Sequence, residues 1–269
     1  MRDTVEKLLS RYQAHRLSEV VDYDKFSRYA ITHHSTRIEG STLTETETQV
    51  LLEDGLTPKA RPLEHSLMTQ DHYRALLFVI QQAEAKTALS VKLIQQINAH
   101  VMQHTGQTYN TVLGTVDAAQ GEFRKENVTA GGTYFVSHDK VESLITKLAT
   151  ELSTSLSKSR TVSDQLELSF AAHFNLVTIH PFYDGNGRTS RLLMNFIQAW
   201  HGLPLAIVFS EDRVEYFNAL QQARQQESIE AFYDFMYSQY ARYLRDEIDK
   251  YEDLLKNHSS GGPAFSLLF

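Results

Sequence analysis

Apolar residues recur every three or four positions along most of the chain, which is the spacing of amphipathic helices. No repeat with a period of about 20 to 50 residues accompanies this spacing. One apolar face contains Leu168, Ala171, Ala172, Leu176 and Ile179. Pro181 then prevents simple continuation of that helix, so His180 lies where a buried helix gives way to a loop. The pattern predicts a mainly α protein.

After this loop a second helix has two different faces. The apolar stripe contains Leu193, Phe196, Ile197 and Trp200, and the polar face contains Arg188, Arg191 and Asn195. The chain carries no formal charge from Leu192 to Ser210, long enough to consider a membrane span. Polar residues and Pro204 interrupt this stretch, so we instead expect a helix that ends at His201 and Gly202, followed by a second buried segment.

Three further local patterns predict secondary structure. Gly131 and Gly132 lie between β-branched and aromatic residues in the segment 127–136, NVTAGGTYFV, as in a two-residue β-hairpin turn. Thr44 and Glu47 are spaced as a capping box, so Glu39 would lie between two helices. An aromatic-rich helix is expected from about residue 229, followed by a linker and the terminal AFSLLF, either a loose tail or a docking peptide.

Composition narrows the class of protein. The 269 residues include 26 basic and 33 acidic side chains, a formal net charge of -7 and no cysteine. Without cysteine there are no disulfides, thiolate zinc sites or cysteine nucleophiles. Net acidity argues against broad binding of nucleic acid or anionic membranes. The N-terminus, MRDTVEKLL, has charges where a secretory signal would be apolar, and we expect a cytoplasmic protein.

The segment 180–191, HPFYDGNGRTSR, concentrates groups that suit a nucleoside triphosphate. Glycines in a loop that enters a helix let backbone N–H groups converge on a phosphate, and the helix dipole adds positive charge. Arg188 and Arg191 can reach further phosphate oxygens, and Asp184 can hold a Mg²⁺ ion that bridges two phosphates. His180, before this cradle, is placed to take a proton from an incoming nucleophile.

Each piece also has an ordinary structural interpretation. DGNG is common in surface turns, and a histidine at a helix end is usually structural. The two arginines could form a solvated helix face. The combination in twelve consecutive residues of a base, a metal ligand, an anion nest and two cationic side chains favours the functional interpretation.

The segment 180–191 resembles the Fic family signature HPFx(D/E)GNGRxxR at every specified position. The resemblance implies the Fic fold, a helical core with a β-hairpin flap, and transfer of AMP from ATP to a protein hydroxyl. It implies that His180 is the general base, that Phe182 anchors the loop in the core and that Asp184 binds magnesium.

The same resemblance assigns the phosphate site. Gly185, Asn186 and Gly187 would form the anion hole, and Arg188 and Arg191 would hold the outer phosphates. The related Doc kinases have lysine in place of the second motif glycine and transfer a phosphate, so Gly187 argues against that chemistry here.

Two other segments extend the resemblance. Residues 121–128, GEFRKENV, and the hairpin after them are similar to the segment leading into the family's flap, which pairs with target backbone as an added strand. Tyr216 and Asn218 in EYFNAL resemble residues that enclose the adenine ring, although an aromatic on a helix face is as often part of the core.

The segment 35–40, STRIEG, resembles the family's inhibitory motif (S/T)xxxE(G/N). The motif positions are Ser35, Glu39 and Gly40, and the resemblance implies that Glu39 pairs with Arg191 and displaces the ATP γ-phosphate from it. The alternative is an ordinary glutamate at a helix end.

We therefore expect three regions and one activity. The regions are an N-terminal helical part at 1–95, a Fic catalytic core at 96–228 and a C-terminal helix and tail at 229–269. The expected function is an autoinhibited protein adenylyltransferase that uses ATP and Mg²⁺. Its rivals are removal of AMP from a modified protein and nucleotide sensing without turnover. The sequence leaves open the target protein, self-modification and a homodimer.

Overall fold

The computed structural model describes residues 1–16 and 23–259. The predicted AFSLLF tail lies outside these residues. Ten α-helices and four short strands occur in the described part of the chain. The elements are α1 Arg2–Ala14, α2 Tyr23–Ile38, α3 Glu45–Asp54, α4 Leu63–Glu84, α5 Val91–Val101, β1 Thr108–Thr111, β2 Gly114–Asp117, β3 Thr129–Ala130, β4 Thr133–Tyr134, α6 Val141–Leu156, α7 Val162–Ile179, α8 Asn186–Trp200, α9 Arg213–Gln225 and α10 Glu230–Ser259. The prediction of a mainly α fold is confirmed.

Helices α7 and α8 form the centre of the fold. They pack against each other, α4 and α5 cover α8, and α6 covers α7. Helix α10 packs on α1, α9 and α7, while α2 packs on α4 and reaches α8. One apolar core runs from Val5 to Ile248, so the regions 1–95, 96–228 and 229–269 share it. Residue 95, the expected first boundary, lies inside α5.

The local patterns predict these helix ends well. Thr44 and Glu47 form the expected capping box at the start of α3. Helix α8 ends at Trp200, and Gly202 follows with a φ of +69°, a conformation that glycine adopts at little cost. Residues 203 and 206–209 are buried, as expected for the second apolar segment. No helix in the described residues is both long and apolar enough to cross a membrane.

Helix α8 differs from the sequence expectation in one respect. Its polar face does not meet solvent, because Arg188, Arg191 and Asn195 are buried. The interpretation of the two arginines as a solvated face is therefore wrong. Two guanidinium groups inside a protein need polar partners, which the end of α5 and the residue after α2 supply.

The structure contains the predicted hairpin and a second one. Strands β3 and β4 are antiparallel around Gly131 and Gly132, whose φ angles of +56° and +78° suit a two-residue type I′ turn. Strands β1 and β2 form the unpredicted hairpin, with Val112 and Leu113 at its tip. Apolar residues at a turn give no sequence signal, and the hydroxyl of Thr111, which bonds to the turn backbone, stabilises this one.

Candidate active site

The loop between α7 and α8 is fixed by its own side chains. His180 ends α7 in the left-handed region, with a φ of +54°, and turns the chain. Phe182 is buried, as the resemblance implies. The side-chain amide of Asn186 accepts a hydrogen bond from the N–H of Phe182 at 3.0 Å and donates one to its carbonyl at 2.9 Å. These two hydrogen bonds hold the start of the loop against the first residue of α8.

Two residues that the sequence analysis did not predict support the loop from outside. The amide of Asn98, on α5, donates to the carbonyl of Asp184 and to the Thr189 hydroxyl, both at 3.1 Å. Tyr109, on β1, stacks on Tyr183 with ring centroids 4.3 Å apart. Neither residue belongs to a recognisable motif, so nothing in the linear sequence indicates these contacts.

Arg124 joins the base of the hairpin β3–β4, hereafter the flap, to the active-site loop. This arginine is only 2% exposed. Its guanidinium donates to the carbonyls of His180 at 2.8 Å, Glu126 at 2.8 Å and Val136 at 2.5 Å. The segment GEFRKENV, which the resemblance connects with the flap, contains this residue, but only the fold shows what it binds.

The imidazole of His180 lies beneath the flap. Phe135, directly after β4, stacks on it with ring centroids 3.9 Å apart. Burial lowers the pKa of His180 to about 4, and the charges of Arg124 and Arg224 act in the same direction, while Glu39 and the backbone of Val177 oppose it. The ring is therefore neutral near pH 7 and able to accept a proton.

The first turn of α8 provides donors for an anion. Gly185 precedes the helix with a φ of +76°, and a β-carbon there would collide with the side chains of Met102 and Asn98. The N–H groups of residues 186–188 belong to the first turn, where a helix has no internal acceptors for them. Together with the helix dipole, this arrangement suits a phosphate.

Arg188 lies inside the protein beside this turn. Its guanidinium donates weakly to the Val101 carbonyl at 3.4 Å and to the sulfur of Met102 at 3.2 Å. It also lies 3.7 Å from a carboxylate oxygen of Asp184. Nε of Arg188 has no hydrogen-bond partner among residues 1–16 and 23–259. A buried cation with such weak partners can bind an additional anion.

Asp184 has the exposure and position needed by a metal ligand. Its side chain is 58% exposed, and one carboxylate oxygen accepts a hydrogen bond from the N–H of Gly185 at 2.5 Å. Within the described residues no group of three or more His, Asp or Glu side chains could hold a metal by itself. A single carboxylate still fits Mg²⁺, which commonly takes its remaining ligands from substrate phosphates and water.

Arg191 is enclosed by groups from α2 and α9. Its Nε donates to the Ser35 hydroxyl at 2.8 Å, and one terminal nitrogen donates to the Ser35 carbonyl at 3.0 Å and to the Glu39 carboxylate at 2.6 Å. The other terminal nitrogen lies 3.4 Å from the Tyr216 hydroxyl. The structure therefore brings STRIEG onto the arginine with which the resemblance pairs it.

The Glu39 carboxylate also lies against the anion nest. A β-carbon at Gly187 would collide with its Oε1. Burial of this carboxylate favours its neutral form, but the charges of Arg191 and Arg188 and the hydrogen bond from Arg191 outweigh burial and lower the pKa of Glu39. Glu39 is therefore a carboxylate at neutral pH. Gly40 follows with a φ of +102°, which turns the chain away from the site.

The structure separates the two residues considered for adenine. Tyr216 is buried, and its hydroxyl lies 2.9 Å from Nε2 of His173. Its ring packs among Phe232 and Phe235, so in this conformation it is a core residue that supports Arg191. Asn218 is exposed on α9.

Comparisons with known proteins agree with this arrangement. Residues 88–198 match the Fic/DOC family. Protein adenylyltransferase fic-1 of Caenorhabditis briggsae is 29% identical over 196 residues, which are 72% of this chain and 36% of that protein. The chain thus spans about a third of the length of the curated relatives it matches.

Solved structures share the fold. A signalling protein of Bacteroides thetaiotaomicron that contains a Fic domain has a TM-score of 0.78 at 24% identity, covering 97% of this chain and 100% of that one. Fic-1 of Caenorhabditis elegans has a TM-score of 0.74 at 22% identity, covering 94% of this chain and 73% of that one.

Proposed function

Residues 88–198 match the Fic/DOC family, and from that premise we propose that this chain is a Fic protein adenylyltransferase held in an inhibited state. One observation carries the proposal. A single loop and the helix after it bring together a neutral imidazole, the N–H donors of a first helical turn and two buried guanidinium groups. These groups match the needs of a reaction that activates a hydroxyl beside a bound triphosphate.

The proposed reaction begins at the target hydroxyl of a Ser, Thr or Tyr. His180 accepts the proton of that hydroxyl, and the oxygen forms a bond to the α-phosphorus of ATP. The bond between the α-phosphorus and its bridging oxygen breaks, and pyrophosphate leaves with the electron pair. Gly185, Gly187 and the first turn of α8 hold the phosphates, which makes catalysis mainly a matter of positioning and charge.

Magnesium has a suitable ligand in this scheme. Asp184 would hold the ion at the exposed mouth of the loop. When bound, Mg²⁺ neutralises phosphate charge. Arg188 and Arg191 would contact the outer phosphates, and for Arg191 this requires Glu39 to leave.

Inhibition follows from the position of the Glu39 carboxylate. The carboxylate accepts a hydrogen bond from the Arg191 guanidinium and also fills the space beside Gly187. A γ-phosphate cannot use the same nitrogen of Arg191 while Glu39 remains. ATP can still bind in this state, but with its triphosphate displaced from the geometry required for attack.

The decisive experiment measures AMP transfer from ATP labelled on its α-phosphate. Purified wild-type protein, Glu39→Gly and the double variant Glu39→Gly/His180→Ala are each incubated with Mg²⁺ and cell lysate. We expect strong protein labelling by Glu39→Gly, weak labelling by wild type, and a loss of about 10² to 10⁴-fold in the double variant. Labelling of the enzyme's own band would show self-modification.

A matched control uses another glutamate close by in the chain. Glu45 is exposed at the start of α3, and it is not among the hydrogen-bond partners of Arg191. Glu45→Gly should label no more protein in the lysate than wild type does. Equal labelling by Glu39→Gly and its His180→Ala derivative would exclude His180 as the base, and absence of labelling from both would contradict the proposed function.

A further inference from the structure

Two arginines cap the C-terminal end of α2, the helix that leads into Glu39. A helix leaves its last carbonyls without internal donors. Here the Ser35 carbonyl accepts from Arg191 at 3.0 Å, and the Ile38 carbonyl accepts from Nε of Arg213 at 2.7 Å. Backbone N–H groups of residues 39–41 bond to the carbonyls between these two. Glu39 is thus the residue directly after Ile38, whose carbonyl accepts the hydrogen bond from Arg213.

Arg213 is well placed for this contact. It is the first residue of α9, and its guanidinium carbon lies 4.8 Å from the centroid of the Phe217 ring, which orients the side chain. Ile38 itself is fully buried. A cation at a helix C-terminus also interacts favourably with the helix dipole. The charge of Arg213 lowers the pKa of Glu39 in the same direction as Arg191 does.

Helix α9 therefore holds both sides of the inhibitory ion pair. Arg213 binds the end of α2, and Tyr216, one turn later, contacts Arg191. The start of α9 is itself fixed from α10, because Asp212 accepts hydrogen bonds from Gln239 at 2.8 Å and Arg242 at 3.1 Å. The end of α2 thus rests on a corner of the protein that is anchored independently of the active-site loop.

We propose that Arg213 is a positioning residue for inhibition, which holds Glu39 over Arg191 by capping the carbonyl of Ile38. The proposal rests on the proposed function, because it assigns a cause to the inhibition of that same site. Arg213 takes no part in the chemistry. Without this cap the turn at residues 39–41 loses one of its anchors, and Glu39 leaves Arg191 more often.

The test replaces Arg213 by methionine, which keeps a side chain of similar length against Phe217 but removes every donor. Arg213→Met should raise AMP transfer about three- to thirtyfold, less than the roughly 10- to 150-fold expected for a buried charge-assisted hydrogen bond, because Arg213 is exposed to solvent. KM for ATP should change less than kcat. Arg213→Lys, which can still donate to a carbonyl, should recover part of the inhibition.

Arg37→Met is the matched control, because Arg37 is exposed and carries the same charge in the last turn of α2. This control should behave like wild type. In the Glu39→Gly background, Arg213→Met should add no further activity, since there is no carboxylate left to position. A fall in rate in that background would instead make Arg213 a substrate or nucleotide contact and overturn the proposal.

Amide hydrogen exchange separates this inference from the proposed function. The amide hydrogens of residues 39–41 should exchange faster in Arg213→Met than in Arg37→Met or in wild type. Unchanged exchange would overturn the role of Arg213 even if Glu39→Gly transfers AMP. The amides could exchange faster in Arg213→Met while Glu39→Gly transfers no AMP. That result would support the capping role of Arg213 and contradict the proposed activity.

Discussion

The guanidinium of Arg191 is buried, and each of its three nitrogens makes a polar contact with α2 or α9. The Ser35 and Tyr216 hydroxyls accept hydrogen bonds from Arg191 but do not neutralise its charge. Glu39 provides the neutralising carboxylate, with its side chain 31% exposed. The pair therefore lies between an exposed ion pair, worth about 0–1 kcal/mol, and a buried one, whose disruption costs about 3–5 kcal/mol.

Removing the Glu39 side chain should weaken inhibition more than shortening it does. We expect AMP transfer to rise about 10- to 100-fold for Glu39→Gly, equivalent to about 1.5–3 kcal/mol. Glu39→Asp should give a smaller rise, because its shorter side chain reaches Arg191 less well. Initial rates at saturating ATP check this order. Arg191→Ala must not gain activity, since the productive phosphate position needs the same arginine, and a gain would contradict its double role.

The flap leaves one backbone edge unpaired within the described residues, and we expect a target to pair with this edge. Its register pairs Ala130 with Thr133 next to the turn and Thr129 with Tyr134 beyond it. In an antiparallel ladder hydrogen-bonded and non-bonded pairs alternate, and the pair that closes a two-residue turn is bonded. The N–H of Tyr134 therefore points away from the hairpin, and its side chain is 88% exposed. Arg124 fixes the base of this ribbon by donating to the carbonyl of Val136.

Two substitutions at one position test docking of a target on this edge. Tyr134→Ala and Tyr134→Pro both remove the aromatic ring, but only proline removes the outward N–H. In the Glu39→Gly background we expect Tyr134→Pro to modify target protein about tenfold more slowly than Tyr134→Ala, through loss of a backbone hydrogen bond to the target. ATP affinity, measured by calorimetry, should be equal in the two. Equal target modification would show that the edge does not pair with the target.

The whole molecule has several histidines that folding keeps neutral. Burial lowers the pKa of His34 to about 4, with Glu211 opposing the shift, and burial likewise lowers that of His180 to about 4. Burial lowers the pKa values of His72 and His173 well below the ordinary value. Between about pH 6.5 and 4 the unfolded chain therefore binds protons at these sites that the folded protein does not.

Stability should consequently fall as the pH is lowered through this window. Each histidine shifted to about 4 removes on the order of 2–3 kcal/mol from the free energy of unfolding by pH 4.5. Chemical denaturation at pH 7.5, 6.0 and 4.5 measures the loss, and His34→Gln should show a shallower pH dependence than wild type. A constant free energy of unfolding from pH 6.5 to 4.5 would mean that these imidazoles are protonated in the folded state.

Local sequence was enough to predict several of the elements and the reactive loop, but not the hairpin β1–β2. Helix periodicity, the capping box of Thr44, the glycines of the flap turn and the segment 180–191 all act over a few residues, so their physics can be inferred from neighbouring positions. Helices α7, α8 and α10, the start of α3 and the loop between α7 and α8 follow from such short-range interactions.

Only the tertiary structure decided which distant groups meet at that loop. Arg124, Asn98 and Arg213 each bind a backbone carbonyl far away in the chain, and nothing near them in the sequence marks that carbonyl. Tyr216 supports Arg191 from the core, where the sequence alone left both a core position and a contact with adenine open. Packing of the whole fold is the physical reason. Burial leaves Arg124 and Asn98 a single set of partners, whereas the exposed Arg213 reaches the Ile38 carbonyl because the fold brings the start of α9 to the end of α2.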